Sequence, residues 1–259
     1  MTEHVDVRPA PAAVLAHARC LIVRKVAPGA RVESTVHANP YACINLIVSG
    51  EVEVHGRALP PFFVCGPLTG PMRTTAAGPL LSASLVVQPW LLPALAGLEP
   101  RAVVDGVVPL HAPAWRGICE AVCVDPRAEA ALWSMVAGLS VQVPPPRLPL
   151  QMLLESGVAA AARELGCSAR QFPRRFQAAM GLAPAAWRRL ARWEQAARAL
   201  VAAQGLADLA SGHGYADQAH LTRETRTVAG LPPARLRQAA ADGREPWSLR
   251  PARVRFVQD

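Results

Sequence analysis

Along the first third of the chain, apolar and polar residues alternate with a period of two: Ile44, Leu46 and Val48, then Val52 and Val54 between Glu51 and Glu53, then Leu81, Ala83, Leu85 and Val87. Such alternation marks strands with one buried face. Together with 20–26, Arg31–Val36 and Phe62–Cys65, it predicts about six strands punctuated by Gly and Pro, enough for a small barrel or sandwich that hides its sheet edges. The pattern turns helical at 88–97. A longer helical stretch begins near Pro113 and breaks at Asp125 and Pro126, where Asp suits an N-cap and Pro a first helical position. Beyond it Leu132, Val136 and Leu139 share one face. This helical pair is expected either to pack on its own barrel or to offer a dimer surface.

After 143 the character of the chain changes. Pro144, Pro145, Pro146 and Pro149 fall within six residues, which neither a helix nor a sheet accommodates. They read as a stiff linker at 144–149. Every periodic segment that follows is helical. Short helices are expected at 149–156 and 158–165, then a turn at Gly166 and Cys167 and a helix capped by Ser168 with Phe172 and Phe176 facing inward. Gly181 closes it, and Pro184 opens a long helix to about Ala203. That helix carries Trp187, Leu190, Glu194, Ala197 and Val201 on one stripe. The arrangement then repeats: a helix at 206–211, a turn at Gly212, His213 and Gly214, and a helix capped by Asp217 that ends at Gly230.

The whole chain of 259 residues has a formal net charge of +8. Residues 1–147 hold 11 Lys+Arg and 10 Asp+Glu, whereas residues 148–259 hold 16 and 9. The excess positive charge therefore accompanies the helices, and a basic unit on such a chain commonly meets a polyanion through counterion release. Genomic base bias is the plainer source of an arginine-rich, alanine-rich composition. The six cysteines are scattered, no CxxC pair occurs, and the polar stretch from Met1 to Pro11 is no signal core, so reduced thiols inside a cell are expected. No apolar run is long enough to span a membrane.

Twice, then, a short helix, a glycine-containing turn and a capped second helix with exposed arginines follow one another, the signature of a helix-turn-helix unit. A recognition helix fits the major groove, where Arg and Gln make bidentate base contacts. The connecting helix, at about 20 residues and hence roughly 30 Å, would set two such units about one DNA turn apart. The run Leu206, Ala207, Asp208, Leu209, Ala210, followed by Gly212, His213, Gly214, Tyr215, then Asp217, Gln218, Ala219, His220, Leu221, Arg223, and finally Gly230, Leu231, Pro232, Pro233, resembles the second-unit motif of the AraC/XylS regulators. The first unit agrees in register through Gly166, Cys167, Ser168, Phe172, Arg174, Phe176, Gly181 and Leu182.

The resemblance implies an α+β chain: a cupin-like sensor or dimerisation β-barrel at 1–143 with a helical appendage, the linker at 144–149, and an all-α DNA-binding domain at 150–240 whose two helix-turn-helix units are joined by a long helix, followed by a tail at 241–259. It also implies groove-facing residues at Arg170, Gln171, Pro173 and Arg174 in the first recognition helix and at Gln218, Ala219, His220 and Arg223 in the second. Arg175, Arg188, Arg189, Arg192 and Arg226 would contact phosphates or form a solvated basic face. Three positions depart from the family. Pro173 lies inside the first recognition helix, where it costs up to about 3 kcal/mol unless the helix starts late or kinks. Thr225 stands where the family packs Phe, and Leu236 where it has Tyr. The second unit is therefore expected to read more sequence than the first.

The N-terminal half resembles the sensor domain of a subset of these regulators through Phe62, Phe63, Val64, Cys65, Gly66 and Pro67, the strand from Ser84 to Val87, Gln88, Pro89 and Trp90, and Leu95 to Gly97; the final run from Val254 to Asp259 resembles tails of the same subset. The implied partners are an operator in double-stranded DNA, a small-molecule effector of unknown site, RNA polymerase if the protein activates, and a second copy of the chain. A cytoplasmic protein with no membrane partner, no catalysis and no cofactor or metal is expected. A metalloenzyme reading needs a close His pair with a Glu, and His37 and His55 are isolated; alkyl-transfer chemistry needs a cysteine cluster; a protein-interaction module would leave DNA retention insensitive to salt. Cys119 and Cys123, four apart on one helix, are either a thiol sensor or small core residues. Trp90, Trp115 and Trp133 are either an effector pocket or aromatic core.

Overall fold

The computed structural model describes residues 2–241; the run from Val254 to Asp259, and all of 242–259, lies outside them. The first half folds into eight strands, β1 (Glu3–Pro9), β2 (Ala18–Val26), β3 (Arg31–Val36), β4 (Ala42–Val54), β5 (Arg57–Ala58), β6 (Phe62–Cys65), β7 (Met72–Val87) and β8 (Val107–Pro109). They form one antiparallel sheet in the order β1-β2-β7-β4-β6-β8, with β3 also on β7 and β5 on β4. The expected runs at 44–48 and 51–54 belong to one strand, and the run at 81–87 extends back to Met72. Both long strands bend: β4 slips register around Ser49 and Gly50, where Gly50 has φ 78°. At Gly78 of β7 a Cβ would lie 1.9 Å from the Ala27 carbonyl oxygen. These bends give the sheet its barrel-like curl.

Two helices cover one face of the sheet. In α2 (Pro113–Val124) and α3 (Ala128–Gln142), Trp115, Cys119, Val122, Leu132, Trp133 and Val136 pack into one core with Ile44, Leu46, Val64, Leu85, Leu21 and Val23. The helical pair thus buries its apolar stripe on its own sheet. A short helix α1 (Leu92–Ala96) ends at Gly97 with φ 65° and adds Leu92 and Leu95 to this core. Residues 144–149 form neither helix nor strand.

The C-terminal helices are α4 (Leu150–Ser156), α5 (Val158–Glu164), α6 (Phe172–Met180), α7 (Pro184–Ala199), α8 (Leu206–Gly212), α9 (Gln218–Ala229) and α10 (Pro233–Ala241). Their shared core holds Leu153, Phe172, Phe176, Met180, Trp187, Leu190, Trp193, Leu209, Tyr215, Leu221, Val228 and Leu236. The predicted stripe of α7 holds for Trp187, Leu190 and Ala197 but fails at Val201, which is 49% exposed. The helix stops at Ala199 and Leu200 takes the last buried place. At 16 residues α7 is about 24 Å long, one turn shorter than expected.

The two halves touch. Glu194 of α7 accepts from Arg19 of β2 and from the Tyr41 hydroxyl, each at 3.1 Å. The Ala38 amide donates to the Val228 carbonyl at 2.9 Å, and the His37 ring stands edge-on to Trp193 at 5.3 Å. Behind α6, Gly181 has φ 74° and approaches the Pro100 carbonyl so closely that a Cβ would sit 2.7 Å from it. Only glycine meets both demands there.

Candidate nucleic-acid interface

Each helix-turn-helix unit is built from local signals. In the second, the Asp217 carboxylate caps α9 by accepting from the His220 amide, and Gly230 ends the helix with φ 76°. In the first, Ser168 and Gln171 form a reciprocal box: the Gln171 amide donates to Ser168 Oγ at 3.2 Å and the Ser168 amide donates to Gln171 Oε1 at 3.1 Å. Both exchanges satisfy donors that a helix start leaves unpaired. Yet residues 169–171 are a turn, and regular helix begins only at Phe172. Pro173 therefore occupies the first turn, where a missing N–H costs nothing. The late start anticipated as the escape from its penalty is what the chain adopts.

This start displaces two expected groove residues. Arg170 and Gln171 lie on the turn ahead of α6 rather than on the helix, although both are exposed, as are Arg174 and Arg175. In the second unit Gln218, Ala219, Arg223 and Arg226 are exposed on α9. His220 turns back instead: its Nδ1 accepts from the Ala216 amide at 3.4 Å and its ring stands edge-on to Tyr215 at 5.2 Å.

The arginines of α7 behave differently. Arg188 donates to the Leu154 carbonyl at 3.1 Å, holding α4. Arg189, expected at the DNA backbone, is half-buried and donates to the Thr69 carbonyl of the N-terminal half at 3.2 Å. Arg192 pairs with Glu224 and lies 4.8 Å from the centre of the Tyr215 ring. The Tyr215 hydroxyl donates to Glu224 at 2.7 Å. Burial, and then the hydrogen bond to Glu224, push the Tyr215 hydroxyl well above its ordinary pKa, so it stays a donor. Glu224, 8% exposed, thus ties α7 to α9. Sequence reading missed this carboxylate; its only signal was an acidic residue inside an otherwise basic recognition helix. The departures at Thr225 and Leu236 are both absorbed: Thr225 is buried with its hydroxyl bonded to the Leu221 carbonyl at 2.7 Å, and Leu236 is 1% exposed.

Residues 161–239 match the family model described as "Helix-turn-helix domain". This C-terminal region is a helix-turn-helix domain. No curated protein matches the chain. Among solved structures, similar ones are those of ToxT from Vibrio cholerae. ToxT from strain O395 is 7% identical over 90% of this chain and 96% of its own, with a TM-score of 0.43. The fatty-acid-bound form from strain SCE256 is 9% identical over 83% and 93%, also at 0.43. The O395 form bound to (E)-4-(8-methylnaphthalen-1-yl)but-3-enoic acid is 8% identical over 91% and 98%, at 0.44. At that distance they carry nothing about function to this chain.

In the C-terminal region Arg170, Arg174, Arg175, Arg223 and Arg226 are exposed on α6, its preceding turn and α9, as are Arg163 on α5 and Arg235 on α10, while Arg188, Arg189 and Arg192 of α7 bond within the protein. Four of the other candidate residues lie in the packed core. Trp115 and Trp133 are buried in the sheet–helix core, with Trp133 donating to Glu129 at 2.9 Å. Cys119 and Cys123 lie in the same core, where burial pushes their thiols up to about 12 and about 11. Among the described residues no three His, Cys, Asp or Glu side chains gather as a metal site, and no helix is long and apolar enough to cross a membrane.

Proposed function

We propose that the chain is a transcription regulator that reads two adjacent major grooves of duplex DNA with α9 and with α6 and its preceding turn. The observation that carries this reading is the division of labour among the arginines. Arg170, Arg174, Arg175, Arg223 and Arg226 stand exposed on the two recognition elements, whereas Arg188, Arg189 and Arg192 of α7 are engaged inside the protein. Exposed guanidinium groups on such elements are what base edges and phosphates require. Arg223 and Gln218 are assigned to base edges, Arg175 and Arg226 to phosphates.

Control comes from the N-terminal half, which grips α7 through Glu194 and Arg189 and the end of α9 through Val228. A small effector or a second copy of the chain that alters this half is thereby felt at both recognition elements. Such a regulator works in the cytoplasm, where bacterial DNA lies, and engages RNA polymerase where its operator adjoins a promoter. The test is footprinting of the full-length protein on DNA flanking its own gene, with salt titrated at fixed competitor. Protection of two successive major grooves that is lost steeply with salt supports the proposal. Retention without salt dependence, or protection of a single groove, defeats it.

A further inference from the structure

One rung of side chains runs across four strands: Cys20 of β2 lies opposite Val86 of β7, Val86 opposite Cys43 of β4, and Cys43 opposite Cys65 of β6. Residues on one rung project from the same face, here the face opposite the one that α2 and α3 cover. The Ile47 amide donates to the Pro61 carbonyl at 2.7 Å, which fixes the phase of the β4–β6 ladder. Cys43 and Cys65 are then a hydrogen-bonded pair, with Cα atoms about 5.5 Å apart. That separation is within the roughly 4.4–6.8 Å that a disulfide spans.

The two sulfurs are dissimilar. Cys43 faces Cys65 across the ladder, and Asn45 Nδ2 donates to Cys65 Sγ at 3.3 Å. Asn45 is itself held, donating to the Cys43 carbonyl at 3.0 Å and accepting from the Ser84 hydroxyl at 2.7 Å. The interaction with the Cys43 side chain, joined by the hydrogen bond from Asn45, holds the Cys65 thiol below its ordinary value against the opposing effect of burial. The same interaction with Cys65, followed by burial, pushes Cys43 well up. A thiolate-prone sulfur therefore sits beside a protonated one, the pairing of an attacking and a resolving cysteine. Cys43 is half-buried and Cys65 is buried.

We infer that Cys43 and Cys65 form a redox-responsive thiol pair that a hydroperoxide closes into a disulfide. The Cys65 thiolate attacks one peroxide oxygen; the O–O bond breaks, and the leaving oxygen takes a proton to become an alcohol or water. Cys65 is left as a sulfenic acid. Cys43 then gives up its proton and attacks the Cys65 sulfur, forming the S–S bond while the S–O bond breaks and water leaves. The dithiol is oxidised by two electrons and the peroxide is reduced by two. Cys43 stands two residues from Tyr41 and Cys65 four from Thr69, the groups that hold Glu194 and Arg189 of α7. Asn39 and Leu68 bridge these two segments. Oxidation is thus placed at the root of the contact between the halves.

The experiment treats reduced, desalted full-length protein with stoichiometric hydrogen peroxide, blocks remaining thiols by alkylation and maps the peptides without reduction. The expected result is an intramolecular link between the peptides containing Cys43 and Cys65, two hydrogen atoms lighter than the dithiol and reversed by dithiothreitol. It persists in Cys119→Ser. In Cys43→Ser no link forms and dimedone labels Cys65, and Asn45→Ala slows alkylation of Cys65 at fixed pH. Full alkylation of Cys43 and Cys65 after a peroxide dose that oxidises Cys167, or a link joining a different pair, overturns the inference.

Discussion

The Tyr41 hydroxyl donates to one oxygen of the Glu194 carboxylate while Arg19, whose guanidinium lies 4.0 Å from the centre of the Tyr41 ring, reaches the other. Burial is the main influence on Arg19, lowering it to about 10, and the charge of Glu194 opposes that loss. Arg198 joins the same carboxylate at 2.9 Å from within α7. One carboxylate therefore serves three donors, two of them from the other half of the chain. Removing it takes a shared acceptor from Arg19, Arg198 and Tyr41, and breaking a buried ion pair by removing one partner costs more than the worth of the pair itself.

Glu194→Ala is accordingly expected to destabilise the protein by about 2–4 kcal/mol. A double-mutant cycle with Arg19→Gln should show coupling above about 0.5 kcal/mol, beyond ordinary additivity error. Thermal or urea unfolding measures both. Additive effects of the two substitutions would show that the halves are not joined through this carboxylate.

Arg223 and Arg175 are expected to fail in different ways. Arg223→Ala should lower discrimination between operator and unrelated DNA by about 1–3 kcal/mol, whereas Arg175→Ala should weaken both alike and reduce the salt slope by about one. Binding titrations on two DNA sequences at several salt concentrations separate them. Equal loss on both sequences for Arg223→Ala contradicts its assignment to base edges.

The first unit offers a contrast within one turn. Because Pro173 sits at the start of α6, Pro173→Ala should change stability by no more than about 0.5 kcal/mol, the size of an ordinary surface substitution. Ser168→Ala removes half of the box with Gln171 and should cost about 0.5–2 kcal/mol. The reverse order in urea midpoints would mean that the proline, not the serine, sets the helix start.

These cases show what the sequence carries and what it withholds. Asp217, Gly181 and Gly230 announce their helix ends because capping and left-handed backbone are properties of single residues and their immediate neighbours. The strand β1 was missed because Glu3, Asp6 and Arg8 disguise it; they are paired by Arg24 with Glu3 and by Arg8 with Asp6 and Glu129, partners that exist only after folding. Cys43 and Cys65, 22 positions apart, become neighbours through strand register. For the same reason Arg189 was legible as a cation on α7, but not as a donor to Thr69. Periodicity finds elements, and caps find their ends. Which charged groups face solvent and which face one another is decided by packing between elements distant in sequence.

His37 supplies a pH-dependent test of the contact between the halves. Burial lowers its pKa from 6.5 to about 4, and its ring lies against Trp193. Between pH 4 and 6.5 the unfolded chain binds a proton that the folded chain refuses, so the stability contributed by neutral His37 is full above about pH 6.5 and is lost as pH falls toward 4. The slope contributed by this one group is at most about 1.4 kcal/mol per pH unit. His37→Gln, neutral throughout, should be less stable than the parent at pH 7.5 because it loses the ring contact, yet its stability should fall less between pH 6.5 and 4.5. Measuring urea unfolding of both proteins across that range isolates the difference. Parallel pH profiles would mean that His37 accepts a proton in the folded state as readily as in the unfolded one, and that the ring against Trp193 is not held neutral by the joining of the halves.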